Sequence, residues 1–513
     1  FHLYANEPIF PGDALHWRSN SHNANHMCIE CHTTNFEKKF TLSTQQFAST
    51  WQEMGVGCES CHGPGSKHIA WTNSANQSSF NNKGWATTLT SGSPALWQAQ
   101  TNDSKPHRTT KGDEVQVEQC AQCHSRRSRI HPDNTANPLL DSFMPVLLEP
   151  SLYHPDGQIL DEVFEYGSFL QSKMHNAGVT CSNCHNPHSG KVKIEGNGLC
   201  LQCHSAKHDS PEHTLHQTNT PGSLCVDCHM PTKTYMSVDK RRDHSFRIPR
   251  PDLSKTLGTP NACQQCHQNQ SSDWAIQILA ERFSTLSSTA NIPPDFGPVF
   301  DQAQKGEPQA FAALTNILAD NTQSAIVRAT AASLLGRFPT RDPRPFLSSA
   351  LGNHEPLIRL GALQACESLP PAERNIVLPL LTDTLRAVRI EAARVASVIP
   401  DIMQQQGYAA ARAEYIVSQT LNGDRSPALV SLSALAINEQ RTDDAEKFLL
   451  KAIRTEPWYI PASVNLADLY RSQQRDDAAE KILKQALTVV PDNADLQLSY
   501  GLLLVRQKKM AEA

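Results

Sequence analysis

The feature that most constrains this chain is a spacing. Fourteen of its fifteen cysteines fall in seven pairs with two residues between the partners, and each pair is followed at once by a histidine. The pairs are Cys28/Cys31, Cys58/Cys61, Cys120/Cys123, Cys181/Cys184, Cys200/Cys203, Cys225/Cys228 and Cys263/Cys266. The histidines are His32, His62, His124, His185, His204, His229 and His267. Only Cys366 is left over, and it lies in an Ala/Leu helical stretch where a buried small hydrophobe is expected. With 22 histidines in 513 residues, chance does not place one after every pair. Two thiols three residues apart share one face of a helical turn and can form thioethers with one porphyrin, and the next residue then turns its imidazole to the iron. A structural zinc site takes pairs of pairs, whereas seven is odd, and a redox disulfide leaves the histidines unexplained. The pattern predicts seven covalent c-type haems.

That cofactor also accounts for the composition. Gly, Pro, Ser, Thr and Asn are dense before about residue 300, turn signals recur (Gly63-Pro64-Gly65, Pro155-Asp156-Gly157, Asn186-Pro187), and conventional core residues are few. Porphyrin faces would fill the interior instead, packed closely enough for near contact. The net charge of -5 is mild, becomes more acidic with haem propionates, and argues against a nucleic-acid partner. No run of about 18 apolar residues is present, so no transmembrane helix is expected.

From residue 273 the character changes to helical Ala/Leu periodicity. IVRATAASLLG (326–336), LIRLGALQACE (357–367) and AVRIEAARVAS (387–397) repeat at about 30 residues, with Arg328, Arg359 and Arg389 in the same place. This pattern resembles HEAT-type helix pairs. From about 427 the period becomes 34: Ala445 returns as Ala479 and Ala513, Ala452 as Ala486, Pro457 as Pro491, and Leu435 as Leu469 and Leu503. That pattern resembles tetratricopeptide repeats. The expected organisation is a loop-rich, mainly α multihaem cytochrome domain (1–272), then an α-solenoid of HEAT-like repeats (273–425) and tetratricopeptide repeats (426–513). The chain opens at Phe1 and stops inside a third repeat, so it reads as part of a longer protein.

Fifteen histidines lie outside the motifs, fourteen of them before residue 270. About seven are expected as sixth ligands, giving low-spin bis-histidine haems. His188 follows a motif across a short Pro turn, His68 follows the rigid Gly-Pro-Gly turn, and His213 and His216 bracket one helical turn. His154 and His244 have Pro or charged neighbours, and His175 and His16 complete the candidates. His22 and His26 lie too near Cys28 to reach far, and the histidine surplus leaves Met27, Met174 and Met230 unneeded. Arg126, Arg127, Arg129, Arg241 and Arg242 suit propionates or a solvated face equally.

Several phrases carry a family likeness: CESCHGPGSKHIAW (58–71), DGQILDEVFEYGSFLQSKMHNAGVTCSNCHNPHSG (156–190), CVDCHMPTKTYMSVDKRRDHSFRIPRPDLS (225–254) and TPNACQQCH (259–267). Together they resemble bacterial multihaem cytochromes fused to tetratricopeptide repeats, distantly similar to the octahaem hydroxylamine oxidoreductase and nitrite reductase superfamily. The resemblance implies an eighth haem upstream of Phe1 and carries His68, His154, His188, His213, His216 and His244 as axial ligands. No motif ends in Lys, unlike the catalytic CxxCK haem of pentahaem nitrite reductases.

Three functions follow as expectations. The first is an electron conduit between redox partner proteins, with repeats docking partners or sister subunits, as a homo-oligomer or an extracellular filament. The second is an oxidoreductase for a small nitrogen or sulfur oxyanion at one open haem lined by Lys233, Tyr235 and Arg247. The third is a redox-sensing scaffold, for which seven haems are excessive. Electron transfer outweighs catalysis, so no catalytic residue is assigned. Attachment of c-type haem outside the cytoplasmic membrane implies a periplasmic or extracellular protein.

Overall fold

The computed structural model describes residues 16, 23–89, 97–98, 107–108, 114–132, 138–235, 239–283 and 295–510. His2, His22 and Ala513 lie outside the described residues, as do the side chains of His26 and His107. The chain is mainly helical, and its strands are short antiparallel pairs. It divides into two compact units. One takes the described residues of 64–128 and 144–370, the other those of 5–63, 129–143 and 371–513. Each unit therefore combines motif segments with repeat helices.

In the first unit the apolar interior sits mostly on the helices Ala310–Ala319, Ala325–Leu334 and Pro356–Cys366. Leu314, Ile326, Ala329, Ala332, Ile358 and Leu363 are fully buried. Gly361 lets two of these helices touch, since a Cβ there would stand 2.0 Å from the Ala329 carbonyl oxygen. The motif-bearing segment docks on this interior: Leu148 N donates to Thr330 Oγ1 at 3.2 Å, and the buried Tyr153 ring lies against Gly167 beside Ile326.

The repeated arginine has a local cause. Arg328 Nε donates to the Leu318 carbonyl at 2.9 Å, and Arg359 Nη1 donates to Asn353 O at 2.8 Å and His354 O at 3.1 Å. In the second unit Arg389 Nη1 does the same to Asp383 O at 2.7 Å and Thr384 O at 3.0 Å. Arg328 satisfies a carbonyl in the last turn of the preceding helix, which has no helical partner, and Arg359 and Arg389 satisfy carbonyls of the loop that leads into their own helices. The 34-residue repeat is equally physical: Ala445, Ala479 and Ala452 are fully buried where helices touch, and Leu435, Leu469 and Leu503 fill the space between them.

The second unit gathers sequence-distant pieces through polar contacts. Arg129 Nη1 pairs with Glu30 Oε1 at 3.0 Å and also donates to Phe36 O. Asn422 Nδ2 donates to Arg129 O at 2.7 Å, and Arg386 N donates to Asp141 Oδ1 at 2.8 Å. Lys38 Nζ meets Asp424 Oδ1 at 2.5 Å with both side chains 5–7% exposed. Burial pulls the Lys38 ammonium below its ordinary range, and the Asp424 charge opposes that. Removing one partner of such a pair leaves a buried charge. Asp424→Ala is expected to destabilise this unit by about 3–5 kcal/mol, read as a lowered unfolding midpoint by far-UV circular dichroism. The double replacement Lys38→Met/Asp424→Leu should recover much of that loss; a double variant as unstable as the single one would show that the charges themselves matter little.

Candidate haem sites

Every motif occupies one helical turn. Cys58–His62 and Cys225–His229 are single α-turns, and Cys120–His124 ends the helix Glu114–His124. The turn Cys181–Cys184 is started by Thr180 and Asn183, which hold each other's backbone N–H groups. The motifs at Cys200 and Cys263 lie in tighter 3-10 turns, closed by Cys203 N to Cys200 O at 3.1 Å and Cys266 N to Cys263 O at 3.4 Å, and each motif histidine N then bonds the same carbonyl at 2.9 Å. In the first motif Cys31 N and His32 N both close on Cys28 O, at 3.3 and 3.2 Å. Among the described residues no cysteine pair is joined by a disulfide.

Cys31, Cys61 and Cys123 do not join any cluster of three His, Cys, Asp or Glu side chains that could hold an ion, and among the described residues no such cluster exists. All three are partly buried, each one residue before its motif histidine, His32, His62 or His124. The physical reason is that a haem cysteine bonds the carbon of a porphyrin side arm and not the iron, so its sulfur has no call to converge with other ligands.

Histidines far apart in sequence face one another. His185 and His244 have ring centroids 6.3 Å apart with planes 29° from parallel, His213 and His229 stand at 6.3 Å and 17°, and His216 and His267 at 6.0 Å and 32°. One member of each pair closes a CxxCH motif. An imidazole nitrogen bonds a transition metal at about 2 Å, which puts two rings on opposite sides of one iron about 6.3 Å apart between centroids. The residues present therefore fit a haem iron between each pair.

The protonation of these rings is set by their other nitrogen. His216 Nδ1 bonds Thr214 O at 2.7 Å, His229 Nδ1 bonds Arg247 O at 2.6 Å, and His244 Nδ1 bonds Arg242 O at 2.9 Å. A carbonyl only accepts, so each Nδ1 carries a proton, and the tautomer this fixes for a neutral ring is the one that leaves the Nε2 lone pair for a metal. Burial lowers the pKa of His185 and His213, which favours the neutral imidazole that a metal binds. His124 differs: its Nδ1 bonds the Glu165 carboxylate at 2.9 Å. Burial works against ionisation of Glu165, but the His124 hydrogen bond, with the nearby His124, His244 and Arg241 side chains, holds the carboxyl below its usual range.

In the first unit the motifs touch in chain order. The Cys120 and Cys181 sulfurs lie close together, and so do those of Cys200 and Cys225. Cys184 lies within electrostatic reach of Cys203, and Cys228 of Cys263 and Cys266. In the second unit Thr34 joins the two motifs there: its hydroxyl donates to Gly55 O and accepts from Gly57 N and Ser60 Oγ at 2.8–3.0 Å.

The remaining histidines have other surroundings. His68 is stacked on Trp85 at 4.2 Å and Trp71 at 5.2 Å, with Nδ1 on Lys83 O at 2.8 Å. Gly84, at φ +80°, permits that turn, since a Cβ would collide with Lys67 O. His154 is half-buried near Asp156 and Lys233, and burial lowers its pKa. His175 packs edge-on to Phe169 at 5.2 Å, His188 is exposed after the Asn186 turn, and His16 is partly buried. Sequence reasoning did not single out His208, which packs edge-on to His213 at 4.9 Å, nor Glu165. No motif marks either one.

The arginines and the expected open-site residues have protein partners. Arg129 holds Glu30, Arg127 Nε donates to Gln122 O, and Arg241 pairs with Glu162 and Asp239 at 2.8 Å. Arg242 donates to Val226 O and Met230 O at 3.1 Å, closing the Cys225–His229 turn. Tyr235 is buried with its hydroxyl donating to Asp161 O, Lys233 reaches Leu160 O, and Arg247 donates to Gln171 Oε1 and Ser245 Oγ.

Residues 13–63 match a family model described as cytochrome c554 and c-prime. Residues 311–397 match HEAT repeats and 436–503 match a tetratricopeptide repeat. No curated protein and no solved structure matches the chain. The cytochrome match supports haem c as cofactor and a haem-based electron-transfer role, and the repeats are of a kind that suggests protein–protein contacts. Among the described residues no helix is long and apolar enough to cross a membrane.

Three substitutions test the facing pairs. His244→Ala, His213→Ala and His216→Ala should each convert one haem of the purified holoprotein from low-spin to high-spin, read by integrated electron paramagnetic resonance. Spectra with no high-spin signal would show that these rings are not ligands.

Proposed function

We propose that this chain conducts electrons along rows of covalently attached c-type haems, one at each of the seven CxxCH motifs. Cys31, Cys61 and Cys123 are the second thioether positions of their motifs, beside Cys28, Cys58 and Cys120. His244, His213 and His216 serve as sixth ligands opposite His185, His229 and His267. The observation that carries this reading is the set of three facing histidine pairs at 6.0–6.3 Å. When bound, haem supplies a one-electron iron couple. The protein residues do the rest: each cysteine pair fixes position, each Nδ1 bond fixes the ring, and the ordered motif contacts from Cys120 to Cys263 keep neighbouring sites close. His16, His68, His154, His175 and His188 remain the proposed ligands for other motifs. His68 is the best prepared of these, because its ring is clamped and its Nδ1 is held by a carbonyl.

The role places the protein outside the cytoplasmic membrane, with repeat surfaces for redox partners or sister copies. A filament would be the many-copy form of the same role. Catalysis on a nitrogen or sulfur oxyanion at an open haem finds less support, since Lys233, Tyr235 and Arg247 hold other groups.

The test is an electron paramagnetic resonance spectrum of the oxidised holoprotein, with spins integrated against a haem count from the pyridine haemochrome. The expected result is seven haems per chain, all low-spin and unaffected by nitrite or hydroxylamine. A high-spin signal of about one haem that shifts with either ligand would overturn the conduit reading in favour of an enzyme.

A further inference from the structure

His124 is held differently from the other oriented rings. His68, His216, His229 and His244 bond neutral backbone carbonyls through Nδ1, whereas His124 bonds a carboxylate. The placement of Glu165 is built rather than incidental. Phe164, just before it, has φ +60°, a left-handed backbone that a bulky residue rarely adopts. The Phe164 ring lies under the Arg241 guanidinium at 5.1 Å, and Arg241 is anchored on Glu162 at 2.8 Å. Glu165 O then accepts from Phe169 N at 2.8 Å and opens the helix Tyr166–Leu170. The same turn is stitched to the motif, since Arg126 N, two residues after His124, donates to Val163 O at 3.2 Å. The strained turn thus delivers one carboxylate oxygen to one imidazole nitrogen.

A carboxylate on the distant nitrogen of a ligating imidazole makes that ligand more basic, and hydrogen bonds beyond the first ligands are among the means by which a protein tunes haem. A more electron-rich ligand favours the ferric state. We propose that Glu165 lowers the reduction potential of the Cys120/Cys123 haem relative to neighbours held by neutral carbonyls. This inference rests on the conduit reading. His124 belongs to the first motif of the first unit's ordered row, so a low potential there directs electrons from the Cys120 end toward the Cys263 end.

The test is Glu165→Gln in the full holoprotein, which keeps a hydrogen-bonding carbonyl and removes the charge. Potentiometric titration would be followed by visible and electron paramagnetic resonance spectra, with haem counted in both proteins. The expected result is an upward shift that is largest for one one-haem transition, with any smaller shift confined to the neighbouring site of His185 and His244, and the haem count unchanged. An unchanged titration, or a downward shift, would overturn the proposal while leaving the conduit intact. A wild-type protein without covalent haem would instead sink the conduit reading itself. If Glu165→Gln does not mature, Glu165→Asp draws the charge back and should raise the same transition by less; an unchanged titration of that variant overturns the proposal equally.

Discussion

A neutral imidazole has one lone pair to offer, and whatever accepts the proton on its other nitrogen decides where that lone pair points. The geometry of the candidate sites depends on this constraint. The acceptors at His68, His216, His229 and His244 are main-chain carbonyls of Lys83, Thr214, Arg247 and Arg242, so the rings are aimed by backbone rather than by mobile side chains. Loops rich in turns can therefore hold several rings in register, because each turn that shapes the backbone also orients a ligand. The regular cores of the repeat helices give those loops a firm base, as at Leu148 on Thr330.

Two economies of construction coexist in each unit. The repeat helices close on small buried residues such as Ala329, Ala445 and Ala479, and Gly361 permits direct helix contact. The motif-bearing segments have fewer apolar residues and depend on specific polar ties, among them Arg129 to Glu30, Lys38 to Asp424 and the Thr34 hydroxyl. Such ties are directional, and a directional bond holds a ring or a thiol in place better than apolar contact does.

What the sequence makes legible is whatever is local. The motifs are readable because thioether attachment needs both thiols and the imidazole within five residues. The repeats are readable because Arg328, Arg359 and Arg389 each tie a helix to backbone carbonyls of the segment before it. His213, His216 and His244 stand out in the sequence as rings that face something, but not what they face: their partners are set by chain folding, and nothing in the local sequence encodes it. The arginines after the motifs mislead for the same reason. Arg129 and Arg242 have the look of solvated or propionate-binding charges, yet their partners are Glu30 and the carbonyls of Val226 and Met230. Glu165 is invisible in the sequence, since a single acidic residue before an ordinary helix carries no pattern.

Arg242 holds two places together. Its carbonyl fixes the His244 ring that faces His185, while its guanidinium closes the turn that carries His229. One residue is thus a shared hinge pin for two sites served by different motifs. A disturbance of that strand, whether by substitution or by strain, would reach both sites together.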